Sequence, residues 1–404
     1  MRTLNLGILA HVDAGKTSLT ERLLFNAGVI AHIGSVDHGD TQTDSLALER
    51  RRGITIKSAV VSFVVENVTV NLIDTPGHPD FIAEVERVLS VLDGAVLVIS
   101  AVEGVQAQTR VLMRTLQRLR IPTLLFVNKI DRAGADPERA LQQVGERLTS
   151  AAIAMGGVRN PGTRAAAFAP NAANGVDFAH RLTDVLAEHD DALLAAFVAG
   201  NTPASPARLS SALAHQTGIA TVHPVFFGSA ITGAGVDSLT RGIVTLLPAA
   251  HGDSAAPVSG SIFKVERGPA GEKIAYTRMF SGVVRTRDWL PVGAHGQRKV
   301  TAIRAFERGA VVQRGSLAAG EIGKLWGLGE VQIGDAIGVP RAATAAHHFA
   351  PPTLETVVVP LHAGDRGALH VALLQLAEYE MEHVEEVDAN VGGDPASLFL
   401  VALP

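Results

Sequence analysis

The sequence predicts an α/β fold: a doubly wound, mostly parallel sheet of the phosphate-loop class, followed by a β-barrel and a partial α+β third domain. Three observations predict it. Between residues 4 and 247 short apolar runs alternate with amphipathic helical stretches, the rhythm of βαβ units. The first run leads directly into Ala10-His11-Val12-Asp13-Ala14-Gly15-Lys16-Thr17, a loop of phosphate-binding type with Ala in the first glycine position. After a linker rich in Ala, Ser, Gly and Pro at 248–260, the pattern changes to short alternating strands separated by glycines.

Taken in order, the predicted strands of the first region are 4–10, 59–65, 68–74, 94–100, 123–128 and 222–227. The predicted helices are 17–25, 109–119, 137–148 and 236–247, each with apolar residues at three and four spacing. Glu66-Asn67 between two apolar strands reads as a hairpin turn, giving the sheet one antiparallel edge. Residues 1–250 form the expected nucleotide-binding domain, with an Ala-rich inserted subdomain at 151–220 that carries no chemical motif. A barrel is expected over 257–340. A second linker at 341–352 precedes an incomplete third domain at 353–404, with one strand at 356–359 and one helix at 368–382.

Composition sets the outer limits. With 47% hydrophobic and 19% charged residues the 404-residue chain is an ordinary globular one, and no apolar run is long enough to span a membrane. Zero cysteines exclude disulfide scaffolds, thiolate zinc sites and cysteine nucleophiles, as suits a reducing compartment. A net charge of −5 leaves no global footprint for wrapping nucleic acid, so RNA contacts would come from local patches and DNA is not an expected partner. Only seven of the 35 basic residues are Lys, which singles out any lysine inside a motif.

Each motif has a physical reading. In the phosphate loop, the backbone N–H groups of residues 10–15 curl around a β-phosphate, and the helix that follows adds its N-terminal dipole. Lys16 reaches the β- and γ-phosphates, the Thr17 hydroxyl is a Mg²⁺ ligand, and Ser18 follows in the first helical turn. Asp74-Thr75-Pro76-Gly77-His78 ends an apolar strand, where the Asp74 carboxylate can hold the Mg²⁺ shell. Gly77 presents a backbone N–H to a γ-phosphate without side-chain interference, and His78 stands beside it to orient an attacking water. Asn128-Lys129-Ile130-Asp131 ends another strand. The Asp131 carboxylate can accept from N1–H and the 2-amino group of guanine, whereas adenine offers neither, so the motif selects GTP and GDP over adenine nucleotides. Lys129 can lie over the base plane and Asn128 can tie the base loop to the phosphate loop. Gly228-Ser229-Ala230 is placed to give a backbone N–H, from Ser229 or Ala230, to guanine O6. Between these motifs, Arg50-Arg51-Arg52-Gly53-Ile54-Thr55 places a hydroxyl at Thr55 that can complete the Mg²⁺ shell when a γ-phosphate is present. Arg50 and Arg51 read as a solvated charge run. The histidines outside the motifs, His347-His348 among them, show no metal-ligand spacing.

Together these residues resemble the translational GTPases. The chain is most similar to the tetracycline-resistance ribosomal protection proteins, relatives of elongation factor G, through 6–21, 34–37 with Thr43-Asp44, 48–56, 70–85, 90–100 and 104–110. The resemblance continues in the barrel region at Phe263-Lys264-Val265, Ser281-Gly282-Val283 and Arg287-Asp288. It implies that Val12 and Ile54 form an apolar gate beside the attacking water and that Asp13 lies near the phosphates and helps hold a monovalent cation. It further implies that His78 is swung into place by the ribosome, contacted through its factor-binding site and ribosomal RNA. A cytoplasmic, monomeric GTPase without a membrane contact is the expectation. The resemblance fades after Glu378, and the chain stops on the apolar run 397–404 with no later segment to bury it, from which a shortened or frame-disrupted third domain is expected. Two other readings follow: a GTP-dependent ribosome-binding module without protective activity, and a translocase of the elongation factor G type.

Overall fold

In a computed structural model of the chain, the described residues are 2–34, 59–76, 82–171, 175–200, 204–249, 252–341, 354–358, 360, 362–365, 367–369, 371, 384–388 and 397–403. Ile54, Thr55, Gly77 and His78 lie outside them. The chain divides into two compact units, one of Met1–His78, Leu92–His251 and Phe306–Ala310, the other of Pro79–Val91, Gly252–Ala305 and Val311–Pro404.

Through the first unit run β1 (Arg2–Ala10), β2 (Ala59–Val65), β3 (Val68–Asp74), β4 (Gly94–Ser100), β5 (Thr123–Asn128), β6 (Ala152–Ala154), β7 (Gly156–Arg159), β8 (Ala167–Pro170) and β9 (His223–Phe227). One seven-stranded sheet has the order β2-β3-β1-β4-β5-β9-β6. Every pairing in it is parallel except β2 with β3, which the predicted turn joins, Glu66 taking the left-handed conformation at φ 53°. The central strands read as near-continuous apolar runs because helices cover both faces. Leu4, Leu6 and Ile8 of β1 pack with Val70, Leu72, Val96, Val98 and Phe126 and with Leu19, Leu23 and Leu24 of helix Lys16–Asn26. Each such fully buried side chain contributes about 1.5–3 kcal/mol.

Asn5, a polar residue in the middle of β1, is fully buried and satisfied. Its backbone and side-chain N–H groups donate to Asp93 at 2.9 and 2.6 Å, and its Oδ1 accepts from Asn71 at 2.8 Å. The next two strands in the chain, β2 and β3, lie on one side of β1 while β4, β5 and β9 extend the sheet on the other, so the loop after β1 opens at a topological switch point. That is where parallel sheets bind ligands, beyond the carboxyl ends of their strands.

Segment 151–220 places β6 at the edge of this sheet, parallel to β9, and forms the β7–β8 hairpin. Its helices Val176–Ala187 and Pro206–Gly218 share an apolar cluster with Ile153 and Val222: Leu182, Leu186, Leu209 and Leu213. Pro at the start of the second helix, capped by Ser205 accepting from the Arg208 N–H at 3.4 Å, fixes where it begins.

The second unit holds most of a six-stranded sheet, with 259–267, 273–281, 302–305 and 322–326 among its strands, packed around Ile262, Met279, Val284, Val292, Ile303 and Leu325. It also includes helix Ile82–Leu89, which is absent from the elements expected of the sequence. Across neighbouring strands Lys264 faces Tyr276 and Tyr276 faces Lys324. Burial by itself would raise the Glu266 carboxyl. Lys264 at 2.9 Å, the Tyr276 hydroxyl donating at 2.6 Å and Lys324 at 3.6 Å outweigh burial and bring it to about 2 from its ordinary 4.5. A carboxyl depressed in the folded state adds stability that is present above its unfolded value and is lost as pH falls toward the folded one. The melting temperature of the wild-type chain should therefore fall more steeply than that of Glu266→Gln between pH 4.5 and about 2, as followed by circular dichroism. Parallel melting curves for the two proteins would remove Glu266 from the acid response.

The terminal apolar run does find partners. Ser397–Leu403 is the middle strand of an antiparallel three-stranded sheet, between Leu354–Val358 and Val384–Asp388. Most of the helix expected at 368–382 lies outside the described residues.

Candidate functional site

Four loops meet at the carboxyl edge of the first unit's sheet. They follow β1, β3, β5 and β9, whose strands are held parallel and in register, so the sheet alone brings Ala10, Asp74, Asn128 and Phe227 to one side.

After β1 the chain turns through Asp13 at φ 62° and Gly15 at φ 91°, two left-handed residues two apart that curve the backbone into a nest of N–H groups. Gly15 caps helix Lys16–Asn26 with no side-chain bond. A Cβ at Gly15 would overlap Asn128 Nδ2, so the loop can close against Asn128 only with glycine there. Ala10 and Ala14 are buried beneath the turn, Thr17 and Ser18 are half-buried in the first helical turn, and Val12 is exposed on the outside.

Lys16 points back across the sheet. Its Nζ lies 2.6 Å from Asp74 Oδ1, with both side chains buried, and the Thr20 hydroxyl donates to the same oxygen at 3.3 Å. The following Thr75 is anchored by its hydroxyl donating to the Ile8 carbonyl at 2.9 Å. The structure thus joins the phosphate-loop lysine and the carboxylate ending β3 in one charged pair.

His11 is turned inward. Its Nδ1 is 3.0 Å from the Thr109 hydroxyl on helix Ala107–Arg118, and its Nε2 is buried without a hydrogen-bond partner among the described residues. Burial holds this imidazole below its ordinary value despite the nearby carboxylates of Glu103 and Asp13. It braces the loop from behind.

Asn128 links three loops. Its Nδ2 donates to the Ala14 carbonyl at 2.9 Å, and its Oδ1 accepts from the Ala230 N–H at 2.9 Å. Lys129 adopts φ 66° and directs its Nζ to within 3.3 Å of the Glu103 carboxylate. Ile130 is held on both sides, its N–H donating to the Gly228 carbonyl at 3.2 Å and its carbonyl accepting from Gly162 at 2.7 Å. Asp131 is half-buried directly after this anchored residue. The Gly162 contact gives segment 151–220 a part in holding the base loop that no motif in it announced.

The turn after β9 is internally bonded. Ser229 N–H donates to Ala234, Ser229 Oγ accepts from Thr232 at 3.0 Å, and the Ser229 carbonyl accepts from Gly233 at 2.8 Å. Both Ser229 and Ala230 are buried. Because the Ala230 N–H already serves Asn128, a contact from it to guanine O6 would have to be shared. The partners of Glu103, Thr109 and Arg22, the last of which bonds to this turn, are not legible in the sequence, since they lie 26, 98 and 208 positions distant.

No group of three or more His, Cys, Asp or Glu suited to a metal occurs among the described residues. The donor set at the phosphate loop is of another kind, a hydroxyl at Thr17 and a carboxylate at Asp74, hard oxygen ligands of the sort that leave a magnesium ion its waters and phosphate oxygens. Those residues and the N–H nest fit a Mg²⁺-nucleotide.

Residues 1–249 match the pattern of the elongation factor Tu GTP binding domain. The chain is 52% identical to an oxytetracycline resistance protein of Streptomyces rimosus, over 99% of this chain and 62% of that protein. It is 47% identical to a tetracycline resistance protein, TetM, of Streptomyces lividans, over 94% of this chain and 60% of that protein. Among solved structures, a protein of Thermus thermophilus superposes with a TM-score of 0.83 at 22% identity, over 99% of this chain and 64% of that one, which shows a shared fold. The chain spans about 60% of the length of the curated relatives it matches.

Proposed function

Because the chain belongs to the GTPase family defined by the elongation factor Tu GTP-binding domain, we propose that it binds GTP with Mg²⁺ and hydrolyses it at the ribosome, as a factor of the tetracycline-protection type. The observation that supports this reading is Asn128, which follows β5 and bonds at once to the phosphate loop at Ala14 and to the turn after β9 at Ala230.

In this reading the nest at residues 13–15 holds the β-phosphate and Lys16 neutralises charge on the β- and γ-phosphates. Thr17, Asp74 and Thr55 hold the Mg²⁺ shell, which supplies charge stabilisation to the leaving diphosphate when bound. Gly77 senses the γ-phosphate. His78 orients a water for attack on the γ-phosphorus, behind a gate of Val12 and Ile54. The bond from that phosphorus to the β,γ-bridging oxygen breaks, and GDP and phosphate leave. Asp13 faces the phosphates and helps hold a monovalent cation. Lys129 covers the base and Asp131 accepts from its N1–H and 2-amino groups.

The test is GTP hydrolysis by this chain with and without ribosomes, alongside tetracycline tolerance of cells expressing it. Ribosome-dependent turnover is expected, and His78→Ala should lower it about 100-fold while leaving GTP affinity within about threefold, the scale for losing a group that acts only on the reacting water. Equal loss of affinity in His78→Ala and Lys16→Ala would overturn the role given to His78. Turnover with no gain in tolerance would favour a ribosome-binding module over a protection factor.

A further inference from the structure

Each of the five residues after β4 is fixed by a hydrogen bond. Ala101 N–H donates to the Asn128 carbonyl at 2.8 Å, and Gly104 N–H donates to the Ser100 carbonyl at 2.8 Å. Ser100 Oγ accepts from the Val102 and Glu103 N–H groups at 3.2 and 3.3 Å, and the Gln106 side chain donates to the Glu103 carbonyl at 2.7 Å. Two side chains of helix Pro137–Arg147 reach the same turn: Arg139 Nη2 donates to the Val102 carbonyl at 2.7 Å, and Gln143 Oε1 accepts from the Val105 N–H at 2.9 Å. Gly104 turns at φ 71°, and a Cβ there would overlap Gln143, so the helix approaches this closely only over glycine.

From this fixed turn Glu103 reaches the base motif. β4 and β5 are parallel neighbours with Ser100 opposite Asn128, so residues 103 and 129 leave adjacent strand ends. Both carboxylate oxygens of Glu103 lie near Lys129 Nζ, at 3.3 and 3.4 Å. The other end of the lysine is set by its own left-handed backbone and by Asn128 just before it, which is bonded to Ala14 and Ala230. The stem of Lys129 is thus held at both ends, at its root by β5 and at its tip by Glu103. An ion pair between two free surface side chains contributes little, but here the carboxylate stands on a bonded turn and the lysine side chain is only 14% exposed.

We propose that Glu103 is a positioning residue for the nucleotide, acting through Lys129: it holds the lysine stem extended as an apolar floor for the purine ring before the nucleotide arrives. Lysine carries four methylenes below its charge, and a stem ordered only on binding would lower affinity. The floor meets the face of the ring and not its edge, so it serves purines alike, while Asp131 reads the edge. The inference rests on the guanine-nucleotide site proposed above.

The test compares wild type, Glu103→Ala, Glu103→Gln, Lys129→Met and the double variant Glu103→Ala with Lys129→Met, for equilibrium binding and stopped-flow release of GDP and inosine diphosphate. Inosine diphosphate lacks the 2-amino group that Asp131 would read. Glu103→Ala should weaken both ligands by the same factor, about threefold to fivefold, the scale of a partly exposed ion pair, mainly through faster release. The preference for GDP over inosine diphosphate should keep its wild-type ratio. Glu103→Gln retains an acceptor without the charge and should fall between. Methionine at 129 keeps an unbranched stem but offers no charge to hold, so adding Glu103→Ala to Lys129→Met should change neither affinity nor release. Should Lys129→Met not fold by thermal melting, Lys129→Gln carries the same cycle. The same loss from Glu103→Ala in both backgrounds, tighter binding, or an altered ratio between the two ligands would overturn the inference for Glu103 alone. A wild-type chain with no preference for GDP over ADP would overturn the site assignment and this inference with it.

Discussion

Asp131→Asn should exchange the base preference of the site. The wild-type carboxylate would accept from two guanine donors, and each charge-assisted bond of this kind is worth about 1.5–3 kcal/mol. Losing both good contacts predicts GTP binding weakened on the order of 100-fold or more. Xanthine carries an oxygen at C2, so the new amide can donate to it, and XTP should become the preferred ligand. The residue just before it, Ile130, is bonded on both sides, to Gly228 and to Gly162, so the substitution changes the chemistry at 131 without releasing the loop. Displacement of a fluorescent guanine nucleotide by GTP and by XTP, on both proteins, measures the exchange. An unchanged order of preference would remove Asp131 from base recognition.

That site is legible because parallel strands buried on both faces write themselves as apolar runs. The runs at 59–65, 68–74, 94–100 and 123–128 coincide with β2, β3, β4 and β5. The motifs at 10–17, 74–78, 128–131 and 228–230 then fall where a run ends, and the sheet brings Ala10, Asp74, Asn128 and Phe227 to one edge. What stays hidden depends on contacts between distant residues or on segments too short to show a period. β6 has three residues, Ala152–Ala154, and lies in an Ala-rich stretch where alternation carries little contrast. Helix Ile82–Leu89 spans only eight residues, so its apolar spacing repeats too few times to stand out beside a loop that reads as chemistry. The terminal run Ser397–Leu403 reads as lacking a partner because one of its neighbours, Val384–Asp388, carries Glu385, Glu386 and Asp388 and does not read as a strand, while the other lies more than 40 residues earlier in the chain. Arg22 belongs to none of the sequence motifs, and only the fold reveals that it bonds to residues 230 and 231.

Lys16→Ala should have two separable effects, and the structure says how to part them. In the folded chain Lys16 lies 2.6 Å from Asp74, with 6% and 0% of the two side chains exposed. Removing one partner of a buried ion pair leaves the other charge uncompensated, a loss of about 3–5 kcal/mol, so Lys16→Ala should melt at a clearly lower temperature. It should also lose the cation that would meet the β- and γ-phosphates, and GTP affinity should fall by about 100-fold or more. Lys16→Arg should not restore binding, since the planar guanidinium cannot replace a compact ammonium in a closed loop. Replacing both partners, Lys16→Met with Asp74→Asn, removes the stranded charge and should recover most of the melting temperature. Nucleotide binding should stay lost in that double variant, measured by titration calorimetry with GTP and Mg²⁺. If the double variant regained GTP affinity together with its stability, Lys16 would be a residue of the fold, and the phosphates would have to be held by the backbone nest alone.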